Sequence, residues 1–130
     1  HLIADELLED NARTIVGPVI SERCKPELRN HTIETAGILN KAGVPMCICT
    51  DHPVVPEQYL PLSAGLAVRG GLDRNEALKA ITIYPAQITG IADRVGSIEV
   101  GKDADIVIFS GDPLSVCDTP DMVIVNGTVI

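Results

Sequence analysis

Aromatic residues are nearly missing from this 130-residue chain, which has one Phe, two Tyr and no Trp. Any core must therefore be assembled from Ile, Val, Leu and Ala, which supply most of the 45% hydrophobic content. That content excludes a disordered chain, and the length suits one domain of ordinary size. Clustered Lys and Arg are lacking too. The net charge is −8 with dispersed acids, so no nucleic-acid footprint is expected; the charge serves solubility. No apolar run approaches the ~20 residues of a membrane-spanning helix. The opening HLIADELLEDNAR is acidic and amphipathic, unlike a secretory signal. Neither glycine-rich phosphate-binding string occurs, and Gly70-Gly71 reads as a helix stop.

Cysteine is present but in no metal-binding pattern. Cys24, Cys47, Cys49 and Cys117 contain no C-x-x-C pair, which excludes a zinc knuckle. Cys47 and Cys49 share one face of a strand, a placement that does not favour a disulfide. All four are expected to be reduced thiols acting as small buried hydrophobes in a cytoplasmic protein.

The positive signals begin with periodicity. Residues 2–10 carry Leu2, Ile3, Leu7 and Leu8 at helical spacing. RTIVGP, residues 13–18, reads as a short strand with its exit, followed by a polar loop over 19–30. Residues 31–42 form an amphipathic helix that Asn30 can cap and Gly43 stops. VPMCICTD, residues 44–51, is a continuous apolar run ended by an acid, the mark of a parallel strand buried on both faces. Strand, loop, helix and strand make a βαβ unit. Helices follow at 59–70, at 73 onward with Asp73 and Glu76 in a capping-box arrangement, and at the short stretch from Pro85 to Gly90. Beyond Asp93 the helical period stops. Residues 96–100 and 105–109 read as strands, and 122–125, Asn126-Gly127 and 128–130 as a hairpin. The fold class is α/β, divided into residues 1–92 and a small β part, 93–130.

Asp51 is the leading candidate for chemistry. Alternation along 44–51 places it with Cys47 and Cys49 on one face, at the C-terminal end of a buried parallel strand. That edge is where α/β sheets and barrels keep their active sites. A carboxylate there can bind a divalent metal or accept a proton from water; it can equally be a loop acid or a helix cap. His52 and Arg23 are candidate substrate contacts on the same edge, with a loop histidine and a solvated charge as the plainer readings. His31 reads as an exposed residue at a helix start.

The string TDHPVVPEQYLPLSAGLAVRGGL, residues 50–72, is followed by NEALKAITIYPAQITGI, 75–91. GSIEVGKDADIVIFSGDP, 96–113, and VIVNGTVI, 123–130, come next. Together they resemble the C-terminal portion of the metal-dependent amidohydrolase superfamily, closest to its imidazolonepropionase-related branch. The resemblance implies the last strands and helices of a (β/α)₈ TIM-like barrel in 1–92, and strands of a small composite β-sandwich in 93–130. It implies that Asp51 is a metal ligand and the general base for the attacking water. It also implies one or two divalent ions, Zn²⁺ above all, and a small-molecule substrate whose non-peptide or cyclic amide C–N bond is cut. The H-x-H pair of the family's first strand and its bridging Lys do not occur here, nor do its two later metal histidines unless His1 is one; a surface residue at a helix start is the plainer reading of His1.

A whole barrel needs about 250 residues, and one carboxylate cannot hold a catalytic zinc that takes three protein ligands. The expectation is a piece of a longer enzyme, inactive and without metal by itself. Its partners are the remainder of the parent chain and, through open sheet edges, further copies of itself. The rival readings are a prolidase-like dipeptidase of the same fold and a non-catalytic α/β scaffold or binding module.

Overall fold

The computed structural model describes residues 1–130. Its first sheet is the predicted βαβ unit. Strand β1 (Thr14–Val16) pairs in parallel with β2 (Met46–Ile48), Thr14 lying opposite Met46 and Val16 opposite Ile48. Helix α2 (Thr35–Lys41) connects them. All three residues of β2 are buried, as a strand covered on both faces must be.

Three further helices complete the cover: α3 (Leu60–Arg69), α4 (Arg74–Ala80) and α5 (Ile83–Thr89). With α2 they pack around β2. Alanine makes this close layering possible. Ala36, Ala64, Ala67, Ala77 and Ala80 are all buried, and with Met46, Ile48, Leu39 and Leu72 they belong to one apolar cluster. Burying each larger aliphatic side chain contributes roughly 1.5–3 kcal/mol. Small residues between helices let that burial proceed without aromatic bulk.

Local chemistry sets the helix ends. Asp73 caps α4 by accepting from the Asn75 amide at 2.8 Å and the Glu76 amide at 3.1 Å. The reciprocal half of the expected capping box is missing, because the Glu76 carboxylate bonds Tyr84, Lys79 and Asn40 instead. Asn30 does not cap α2. That helix begins later than predicted, at Thr35, after a turn, and no side chain caps it. The helix at the start of the chain, α1 (Ala4–Glu9), buries no residue completely. Only Ala4 and Leu7 pack on the core, while Leu2, Ile3 and Leu8 are exposed.

The second sheet is antiparallel, with strand order β3 (Ile106–Ile108), β4 (Met122–Val125), β5 (Thr128–Val129). Asn126 and Gly127 both have positive φ, 49° and 78°, as a type I′ hairpin turn demands. The strand expected at 96–100 does not form. That stretch is irregular, with a bend at 96–97 and a turn beginning at 100, and Ile98 and Val100 are among the most exposed apolar residues of the chain. Alternation there has no paired neighbour to bury it. Leu114, from the loop between β3 and β4, joins the apolar cluster of the helices. Arg74 of α4 pairs with Asp112 at 2.6 Å beside it. No helix is long and apolar enough to cross a membrane.

Candidate active-site edge

Both parallel strands run toward one edge, and the chain leaves each of them there. The last ladder bond runs from the Cys49 amide to the Val16 carbonyl at 2.9 Å. Beyond it β1 exits through Gly17 and Pro18. The exit is tight: a Cβ on Gly17 would lie 2.3 Å from the Cys49 carbonyl oxygen and 2.6 Å from its sulfur. Only glycine admits such an approach.

Regular strand geometry ends at Ile48. Thr50 is still buried, but Asp51 has φ of 56° and is exposed. The expected alternation therefore does not extend to Asp51. A left-handed residue at the end of the strand redirects the chain and turns the carboxylate into solvent. Asp tolerates this conformation better than most residues. The Asp51 carbonyl closes the following turn by accepting from the Val54 amide at 2.8 Å. Its carboxylate enters none of the four ion pairs of the chain.

All three histidines lie toward this edge. His52 follows Asp51 and is exposed. His1 places Nδ1 3.1 Å from the Thr35 hydroxyl, at the start of α2. His31 corrects the expectation of an exposed helix-start residue. It is half-buried, it precedes the helix, and its Nε2 lies 3.0 Å from the Pro18 carbonyl. Arg23 is exposed, and its Nε donates to the His31 carbonyl at 3.0 Å. The sequence pattern missed His31 because its signal is a contact across the loop, invisible to periodicity. No three His, Cys, Asp or Glu side chains converge closely enough to hold a metal ion. Asp51 belongs to no such group of three.

The cysteines divide. Cys47 is buried and Cys49 half-buried, both free. Burial, and next the neighbouring Cys49, push the Cys47 thiol above its ordinary range, which makes it an inert core residue. Cys24 and Cys117 are exposed, so the expectation of four buried thiols fails for them. Each lies in a loop outside the helix and strand layers.

A cleft of about 510 Å³ lies at the opposite end of the sheet, where β2 begins. Arg13, Asn40, Val44, Met46, Tyr84 and Ile88 are among its lining residues. Beside it, Glu76 Oε2 accepts from the Tyr84 hydroxyl at 2.5 Å and from Asn40 at 3.3 Å, while Oε1 accepts from Lys79 at 2.8 Å. The Lys79 bond first, then that of Tyr84, hold the Glu76 carboxyl below its usual range. Glu76 in turn raises the Tyr84 phenol. This network braces α2, α4 and α5 against one another.

The chain is 35% identical over 104 residues to the amidohydrolase tasK of Hapsidospora irregularis, covering 80% of this chain and 11% of that protein. It is 41% identical over 70 residues to an imidazolonepropionase of Thermoplasma acidophilum, covering 52% of this chain and 17% of that one. The crystal structure of an amidohydrolase from Thermotoga maritima MSB8 superposes on 99% of the chain, with a TM-score of 0.94 and 39% identity. The chain spans 34% of that protein. The model of the amidohydrolase family matches residues 4–130, and the chain belongs to that family.

Proposed function

We propose that this chain supplies the C-terminal part of a metal-dependent hydrolase of non-peptide or cyclic amide C–N bonds, with Asp51 as general base. The single observation that carries this reading is the placement of Asp51. It lies three residues beyond the buried parallel strand β2, stands exposed on the edge where both strands end, and enters no ion pair. In α/β folds that edge is where substrates are met.

The residues of this chain do not make a metal site by themselves. Asp51 gives one oxygen donor, and the remaining ligands belong to the rest of a longer polypeptide in this reading. The parallel pair and its helices are the closing part of a (β/α)₈ barrel, and the antiparallel strands belong to a small β-sandwich. A divalent ion held there by Asp51 and the rest of the polypeptide, with Zn²⁺ the first choice, would supply a lowered water pKa and polarisation of a carbonyl. The Asp51 carboxylate accepts a proton from the attacking water and returns it to the leaving nitrogen. His52 and Arg23 are the substrate contacts proposed on the same edge. The isolated chain is inactive in this reading, and its partners are the rest of the parent polypeptide and a small-molecule amide.

The test is Asp51→Asn in the full-length enzyme, with a panel of cyclic amides, open-chain amides and Xaa-Pro dipeptides. Asn keeps the size but cannot act as a base, so turnover should fall by about 10²-fold or more. Wild-type turnover in the folded variant refutes the role. Hydrolysis confined to the dipeptides replaces the amide reading with a prolidase-like one. A full-length protein that turns over no member of the panel favours a non-catalytic binding module.

A further inference from the structure

The connection from β1 to α2, residues 17–34, contains only one short 3₁₀ turn, Pro26–Leu28. Connections this long and irregular are uncommon in compact domains and are usually functional or disordered. This one is tied down, and the two hydrogen bonds that reach farthest along it, from Arg23 and to Pro18, both meet at His31. The ring Nε2 reaches the Pro18 carbonyl at 3.0 Å, across most of the loop. The His31 carbonyl accepts Arg23 Nε at 3.0 Å, and its amide donates to the Leu28 carbonyl at 2.9 Å. Val19, buried in the apolar cluster, is the other anchor.

Pro18 is not a neutral place to hold. It follows Gly17, which lies against Cys49, and Cys49 stands two residues before Asp51. A displacement of the β1 exit is therefore passed to the segment that presents Asp51. A carbonyl oxygen only accepts, so Nε2 carries the hydrogen.

We propose that His31 is a positioning residue for the Asp51 edge, its ring fixing the exit of β1 and its carbonyl fixing Arg23. The proposal rests on the reading of Asp51 given above. A misplacement of about 1 Å near reacting groups costs on the order of 100-fold in rate, so the ties of one loop residue can govern turnover.

The experiment uses the full-length enzyme, with His31→Ala, His31→Gln, His31→Asn and Asp51→Asn assayed well below their melting temperatures. His31→Ala should lower kcat/KM by roughly 10- to 100-fold. KM and kcat are both expected to change, because Arg23 and Asp51 are both displaced. Gln can still donate to Pro18 from the end of its side chain, and should restore kcat/KM to within about 3-fold of wild type. Asn is too short and should not. A folded His31→Ala enzyme with wild-type kcat/KM and only a lower melting temperature overturns the proposal, since that is what a merely structural histidine would show. Gln and Asn behaving alike also overturns it, and that pair decides the matter if the Ala variant does not fold. Should Asp51→Asn retain full activity, the reading of the edge fails and this proposal falls with it. Should Asp51→Asn be dead while His31→Ala is normal, only the His31 role is lost.

Discussion

Gly17 and Cys49 meet across the parallel pair with no room for even one carbon atom, a Cβ on Gly17 falling 2.3 Å from the Cys49 carbonyl oxygen. The contact binds the exit of one strand to the end of the other, immediately before Asp51. Gly17→Ala should therefore destabilise the protein by about 2 kcal/mol or more, at the upper end of overpacking costs. Thermal melting measures it. Adding Cys49→Ala should not restore the loss, because it removes the sulfur and leaves the carbonyl oxygen in place. Full recovery in the double variant would show that the sulfur alone sets the limit.

The Glu76 network predicts a pH dependence. Its bonds to Lys79 and Tyr84 depress the folded-state pKa below the unfolded value of about 4.3. The stability this group contributes is fully present above that pH and is lost as pH falls through the folded value. Melting temperature should therefore drop more steeply below pH ~4.3 in the wild type than in Glu76→Gln. Parallel curves for the two proteins would refute it. Tyr84 has the opposite sign: its pKa is raised, and its contribution fades as pH climbs through the folded value. Tyr84→Phe should cost about 1.5–3 kcal/mol, as expected for a hydrogen bond to a charged group.

Ala64 and Ala67 of α3 are both wholly inaccessible. Ala64→Leu should overpack the helix layer and cost about 1–3 kcal/mol. Denaturant titration reads this as a lower midpoint at unchanged slope. A gain in stability would mean that an unfilled space adjoins the site.

Leu114 is the seam between the antiparallel sheet and the helices. Leu114→Ala should cost about 2–5 kcal/mol. The change should also loosen residues 112–118 more than β2, which amide hydrogen exchange would resolve. Uniform exchange across the chain would show that the seam is not local.

Much of the architecture was written in local chemistry. The Asp73 cap, the turn at Asn126-Gly127 and the stops at Gly43 and Gly90 each depend on a few neighbouring residues, and each forms as predicted, while the apolar run 44–51 yields a buried strand over Met46–Ile48 only. These signals suffice for an α/β chain with a parallel pair, and they bring Asp51 to the end of a strand. Tertiary structure decided the rest. The alternating stretch at 96–100 is no strand, because alternation specifies a face only where a partner strand exists to pair with it. The Glu76 carboxylate, held by Asn40 and Tyr84 away from its capping box, and the ring of His31 on Pro18 depend on residues distant in sequence. Such contacts leave no period to read, since they join residues that only the packed fold brings together.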